Sequence, residues 1–418
     1  MSRRFIGAAL VTATALLAAV SQGRSAARRV EPRAVDKLEG VRSALVLRRD
    51  EPLFIEPSQG AARRGAAERG ARLPVFEIAR GGGCSGRWFS VGPLAWICED
   101  GAEASGASPP PEQPRSASGD GLPFDYYFVS RDGSFGYRDL LVAEEGVPET
   151  QLLPGFGVAI TREEQKPGGE RYGLSTHGFW IPLRDLGRVT VPVFRGGPVD
   201  DALNVAWVSS DKVRLRKAPG GHPLRDVVPR QTQLSVLETR EQAGKTWLRV
   251  GEQEWLLQSE VARPSRLARP AEVKDGEHWF DVELASQIVT AYVGDHPVFA
   301  TLASTGRGPQ GSDLATPKGQ HRIWVKLHSS DMDNLENLEE SASYAIQAVP
   351  WVMYFQKGYG LHGTFWHRAF GRVQSHGCVN LSPIDAEQLF DFASPRLPSG
   401  WTAALPTVYE QGSLVRVR

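Results

Sequence analysis

At 418 residues the chain is too long for one ordinary core, so two to four domains are expected. Lysine plus arginine and aspartate plus glutamate both total 48, so the formal net charge is zero and no basic excess points to a nucleic-acid partner. Forty-four glycines and 29 prolines against three methionines predict turn-rich, strand-dominated structure, and a negative mean hydropathy with one long apolar run argues against an integral membrane protein.

That run is N-terminal. Ser2-Arg3-Arg4 gives a positive start, Phe5 to Val20 a mostly small and apolar stretch, and Ser21-Gln22-Gly23 a small-residue exit. This is the layout of a secretory signal peptide over 1–23, and the run is short of the roughly 20 apolar residues that an anchor helix needs. Residues 24–43, rich in Arg and Ala without periodicity, read as a disordered tether. Export leads to the periplasm or cell wall, with no membrane segment left after cleavage. In such a compartment Cys84 and Cys98, fourteen residues apart, are candidates for a disulfide, against the alternative of two buried thiols. Cys378 is left without a nearby partner.

Residues 103–121 form a Pro/Ser/Gly linker, and a second boundary falls near Arg263–Pro270. On both sides of the linker the chain repeats itself. Trp88-x-x-Val91-Gly92 followed by Trp96-Ile97 matches Trp247-x-x-Val250-Gly251 followed by Trp255-Leu256. A weaker middle copy has Tyr172 and Trp180, also eight apart, followed by Ile181-Pro182. Each copy reads as short strands joined by glycine turns, the pattern of a small β-barrel. The units at 44–102, 122–190 and 203–262 resemble bacterial SH3-like domains, in which Trp-x-x-Val strands and a closing Gly-Trp strand recur. The resemblance implies wall-peptide binding as one role, against the plainer reading that these tryptophans are core.

The chemistry concentrates near the C-terminal end. His362-Gly363-Thr364-Phe365-Trp366-His367 precedes Ser375-His376-Gly377-Cys378-Val379-Asn380. A thiolate is the reactive form of cysteine, and a nearby imidazole can take the thiol proton. Glycines beside the thiol leave backbone N–H groups free for an oxyanion. Ser382-Pro383-Ile384-Asp385 is a strong helix start, and apolar spacing carries the helix to about Phe392. Were its N-terminus aimed at Cys378, it would lower the thiol pKa.

These residues identify 277–418 as similar to the YkuD-type L,D-transpeptidase catalytic domain. Trp279-Phe-Asp-Val-Glu-Leu-Ala-Ser-Gln287, Ser304-Thr305-Gly306 and Thr316-Pro317-Lys318-Gly319 extend the likeness. The resemblance implies a β-sandwich with a small helical addition, so the whole chain is expected to be mainly β. It implies Cys378 as nucleophile and His362 as its base, with the Gly363 carbonyl fixing the tautomer. Gly377 and Cys378 would supply oxyanion donors, while Ser375, His376 and Asn380 shape the site. Asn380 stands where many members carry arginine. Tyr354 and Trp366 are candidates for a substrate groove, against ordinary core packing. His367 reads as a loop histidine, and Asp331 to Tyr344 as a charged insertion beside the site, a lid or a solvated loop. The implied substrate is the peptidoglycan stem peptide, and no cofactor is called for. A zinc site from His362, His367, His376 and Cys378 has suitable ligand types but no usual spacing, so no metal is assigned. The leading expectation is an exported transpeptidase that forms or exchanges cross-links. The alternatives are an L,D-carboxypeptidase or other wall-peptide hydrolase using the same site, and a non-catalytic wall-binding scaffold.

Overall fold

The computed structural model describes residues 40–111, 119–335 and 344–418. The expected signal peptide, the tether up to residue 39, the middle of the 103–121 linker and residues 336–343 of the charged insertion lie outside the described residues. The architecture is mainly β, with two α-helices, Leu140–Glu145 and Pro383–Phe392, among the described residues.

The repeated blocks take the same local structure. Trp88–Gly92 and Ala95–Cys98 form a hairpin in which Trp88 faces Cys98 and Ser90 faces Trp96. Lys245–Gly251 and Glu254–Leu257 repeat that register, with Trp247 opposite Leu257 and Arg249 opposite Trp255. In the middle copy Tyr172 faces Pro182 and Leu174 faces Trp180. Each hairpin runs into one turn of 3-10 helix and a short strand: Glu99–Gly101 then Ala102–Ser105, Leu183–Asp185 then Leu186–Arg188, Gln258–Glu260 then Val261–Ala262. The eight-residue spacing is thus a hairpin register. Trp88, Trp180, Trp247, Trp255 and Tyr172 are buried and Trp96 is half-buried, so these rings serve the cores. Cys84 and Cys98 are joined by a disulfide that ties the first hairpin to its preceding loop.

Residues 277–418 make two facing sheets. One orders His296–Leu302, Ile288–Val293, His278–Glu283, Leu414–Val417 and Gly319–Arg322. The other contains Val325–Asp333, Ala345–Gln356, Tyr359–Gly363 and Val379–Leu381. Phe280, Val282 and Val289 of the first meet Trp351, Met353 and Leu361 of the second in one buried cluster. The helix Pro383–Phe392 adds Ala386, Leu389 and Phe390 to that cluster. Ser382 Oγ accepts the Asp385 N–H at its start. At its other end the buried Lys326 Nζ donates to the carbonyls of Phe390 and Ala393, satisfying groups that a helix leaves open.

One expectation about the organisation needs correction. The linker begins beyond Ser105 and not at 103, because Ala102–Ser105 pairs antiparallel with Ser43–Val46. The N-terminal units also share strand pairing with residues 277–418. Arg63–Ala67 pairs with Trp401–Ala404, which pairs in turn with Val325–Asp333, so a sheet runs from the first unit into residues 277–418. Gly157 of the second unit pairs in parallel with Ile346. These contacts cover strand edges that would otherwise present unpaired backbone. The third unit docks through side chains, with Val205, Trp207 and Ala262 clustered against Ala300, Leu302 and Phe370.

Leu53, Phe89, Val91 and Ile97 of the first unit belong to the same buried cluster as Phe280 and Trp351. Replacing Phe89 with Ala should therefore cost about 3–5 kcal/mol and lower the melting of the first unit and of residues 277–418 together. Calorimetry resolving two independent transitions would contradict a common core.

Candidate active site

Two short parallel strands build the site. Tyr359–Gly363 pairs with Val379–Leu381 so that Leu361 lies opposite Val379 and His362 opposite Asn380. Leu361, Val379 and Leu381 point into the core. Alternation then sends the neighbouring residues to the other face, which places His362, Asn380 and Cys378 side by side there. All three line one cavity of about 890 Å³.

The turn before Cys378 is held by hydrogen bonds. Ser375 Oγ donates to the Cys378 carbonyl at 2.5 Å and accepts the Gly377 N–H at 3.0 Å. Thr316 Oγ1 donates to the Gly377 carbonyl at 2.7 Å and accepts the Gly306 N–H at 2.9 Å. Backbone bridges join Ser304 to Asn380 and Gly306 to Ser375. The Ser304-Thr305-Gly306 and Thr316-Pro317 segments therefore brace the cysteine turn. Gly377 has φ +124°, and a Cβ there would sit 2.4 Å from Tyr359 Cε1, so both backbone and space demand glycine. A Cβ on Gly363 would crowd Pro350 Cγ at 2.9 Å.

The expectation for the oxyanion donors changes at this turn. The Gly377 N–H is occupied by Ser375, which leaves the Cys378 N–H as the unengaged donor beside the sulfur among the described residues. Cys378 is half-buried, and burial pushes its thiol above the ordinary value despite a hydrogen bond from the Gly360 backbone. The resting Sγ–H reaches the Gly358 carbonyl at 3.7 Å and makes no hydrogen bond to His362.

His362 is buried, and its Nδ1 lies 3.1 Å from the Gly363 carbonyl. That carbonyl can only accept, so the proton resides on Nδ1 and Nε2 keeps its lone pair. Burial brings the imidazole down to about 4, and the neutral ring stacks on Trp366 with centroids 5.8 Å apart. His367 is likewise brought down to about 4 by burial and by its neighbour His362. Its Nδ1 accepts the Ala369 N–H at 3.1 Å, so its own proton is on Nε2. Asn380 Nδ2 is placed 2.9 Å from that Nε2; with the ring proton on Nε2 the side-chain amide is assigned the other way round, its carbonyl oxygen accepting. His367, read from sequence as a loop histidine, is thus bonded to a residue of the site.

His376 stands on the cavity wall. Arg307 Nη2 donates to its Nε2 at 2.7 Å, and its ring stacks on Tyr344 at 5.4 Å. Tyr354 and Trp366 also line the cavity. Burial pushes the Tyr354 hydroxyl up to about 12. The sequence reading missed Arg307, Tyr359 and Gly358, which it had no motif to single out. It also missed Asp331 as a wall residue, held by His177 of the second unit at 2.7 Å. Within the charged insertion, Asp331 to Asp333 continue a strand. Cys84, Cys98 and Asp100 lie close together elsewhere, but the disulfide uses both sulfurs.

Fold and cavity together define a class: a mainly β protein presenting a thiol and a neutral imidazole on one sheet face. Residues 277–411 match the YkuD family model, the L,D-transpeptidase catalytic domain. No curated protein matches the chain. Among solved structures, an Enterococcus faecium L,D-transpeptidase is 20% identical over 34% of this chain and 50% of its own, with a TM-score of 0.26. One from Stackebrandtia nassauensis is 23% identical over 36% and 58%, with a TM-score of 0.24. One from Mycobacterium smegmatis is 16% identical over 62% and 99%, with a TM-score of 0.28. The chain thus spans about half the length of the Enterococcus protein.

The buried histidine makes a stability prediction with a definite sign. An unfolded His362 takes up its proton near 6.5 and the folded one near 4, so the folded state binds fewer protons between those values. Stability is unaffected above 6.5 and is lost as pH falls toward 4, by about 3 kcal/mol for this group. His367 adds in the same direction. Urea midpoints measured across that window should fall less steeply for His362→Asn than for the unmodified chain.

Proposed function

We propose that the protein is an exported L,D-transpeptidase that acts on peptidoglycan stem peptides through a Cys378 thioester. The observation that carries this reading is the shared sheet face of His362 and Cys378 at the floor of an open cavity, within the YkuD domain. The sulfur turns from the Gly358 carbonyl toward His362 Nε2, which takes the thiol proton. The thiolate attacks the carbonyl carbon of the third, diamino-acid residue of a tetrapeptide stem. The oxyanion receives the Cys378 N–H. Collapse breaks the amide bond, and D-alanine leaves with the proton that His362 returns to its nitrogen. An amine of a second stem then attacks the thioester, gives up a proton to His362 and releases the sulfur, leaving a 3→3 cross-link.

The raised thiol and lowered imidazole favour a neutral pair at rest, so proton transfer belongs to the attack and not to the resting enzyme. Ser375 and Gly377 fix the turn, Asn380 and His376 shape the cavity, and Tyr354 and Trp366 form the groove wall. Water as acceptor would turn the same site to carboxypeptidase chemistry. The disulfide Cys84–Cys98 supports an oxidising destination and hence export. The units at 44–102, 122–190 and 203–262 are assigned as SH3-like modules, supported by their common hairpin register. Their buried aromatics favour scaffolding over wall binding.

Replacing Cys378 with Ala should abolish D-alanine release from a tetrapeptide stem, and His362→Ala should slow it about 10²–10⁴-fold. Undiminished release by the cysteine variant would refute the assignment. Mass spectrometry of the wild-type products, as cross-linked dimer or as tripeptide, separates transfer from hydrolysis.

A further inference from the structure

The turn between His367 and Ser375 has its carbonyls divided between two parts of the molecule. Ala369 O accepts from Ser304 Oγ at 2.9 Å, and the Gly371 N–H donates to Ala303 O at 2.7 Å, both on the catalytic side. The carbonyls on either side of Ala369 face the other way, toward the 203–262 unit. Arg230 Nη2 and Gln231 Nε2 donate to Arg368 O at 2.9 and 3.0 Å. Arg230 Nη1 and Gln231 Nε2 donate to Phe370 O at 2.7 and 2.9 Å. Asp211 of the same unit pairs with Arg372 at 2.7 Å.

A second observation concerns the backbone that delivers these donors. Gln231 has φ +70°, in the left-handed region that a residue with a Cβ seldom occupies. Its N–H donates to Val208 O at 2.7 Å, which anchors the turn in its own unit. Such a conformation persists where surrounding contacts hold it, and here its side chain is what reaches the two carbonyls.

The path from this clamp to the chemistry is short. The Ala369 N–H, between the two clamped carbonyls, donates to His367 Nδ1, and His367 Nε2 meets the Asn380 amide. Asn380 sits opposite His362 in the strand pair and two residues from Cys378. We propose that Arg230 and Gln231 of the 203–262 unit are positioning residues for the reaction: by gripping the carbonyls of Arg368 and Phe370 they fix His367 and, through it, Asn380 beside the reacting pair. This rests on the proposed function, and it assigns to the third repeated unit a part in the active site beyond covering it.

The test uses the full chain with Gln231→Gly and, separately, Arg230→Ala. Glycine adopts the left-handed backbone freely, so the first variant removes two hydrogen bonds while relieving strain and should melt near the wild-type temperature. Both variants should show kcat for D-alanine release reduced at least fivefold (roughly 1 kcal/mol in a barrier is a factor of about five), with KM within twofold. The pH profile of Cys378 alkylation should also shift toward lower pH, because a loosened turn admits water to the thiol. Wild-type kcat and an unmoved alkylation profile in Gln231→Gly would overturn the proposal. So would a kcat loss that only tracks the fraction unfolded. If the wild-type chain itself releases no D-alanine, the functional reading fails, and the alkylation profiles still decide whether the clamp governs the site.

Discussion

The site depends on the parallel pairing of Tyr359–Gly363 with Val379–Leu381 in a register that sets His362 against Asn380. A shift of one residue would turn Leu361, Val379 and Leu381 toward the cavity and bury the imidazole side of the strands. The apolar partners on the inner face therefore specify the register, and the polar residues on the outer face inherit it. Parallel neighbours require a long crossover, and here that crossover carries His367, Phe370 and the turn before Cys378.

Around this pair the protein is organised to hold polar backbone that cannot pair within strands. Ser375, Thr316 and Gly306 take up the groups around Gly377, and Ser304 and the third unit take up those of residues 368–371. Unpaired buried backbone groups cost as much as a lost hydrogen bond, so a loop this close to the core must be fully accommodated. Part of that accommodation comes from more than a hundred residues away in sequence, which makes the third unit part of the site's support.

The electrostatics follow from the same enclosure. With its floor sheltered by the sheet and its walls by Trp366 and Tyr354, the site disfavours charge, pushing the thiol up and the imidazole down. A neutral thiol and neutral imidazole are less exposed to stray alkylation or oxidation than a standing thiolate. Ser382 and Asp385 occupy the start of the following helix, and the Asp385 carboxylate turns to Thr301 and to the Gly196 N–H.

Much was legible in the chain alone. Short-range chemistry settles a helix opened by Ser382-Pro383, and the hairpin register behind tryptophans eight apart is equally local. The motif brought His362 and Cys378 forward because residue type and spacing survive without any knowledge of packing. What stayed hidden lay in contacts between distant segments. Arg307 on His376, His177 on Asp331, and the grip of Arg230 and Gln231 on the 368–370 carbonyls join residues 69, 154 and up to 140 positions apart. So does the sheet that runs from Arg63–Ala67 into Trp401–Ala404. Local propensity acts over a few residues, and its pattern is written in order along the chain. A hydrogen bond between remote segments depends on a geometry that exists only once both are packed, and only the tertiary structure decides it.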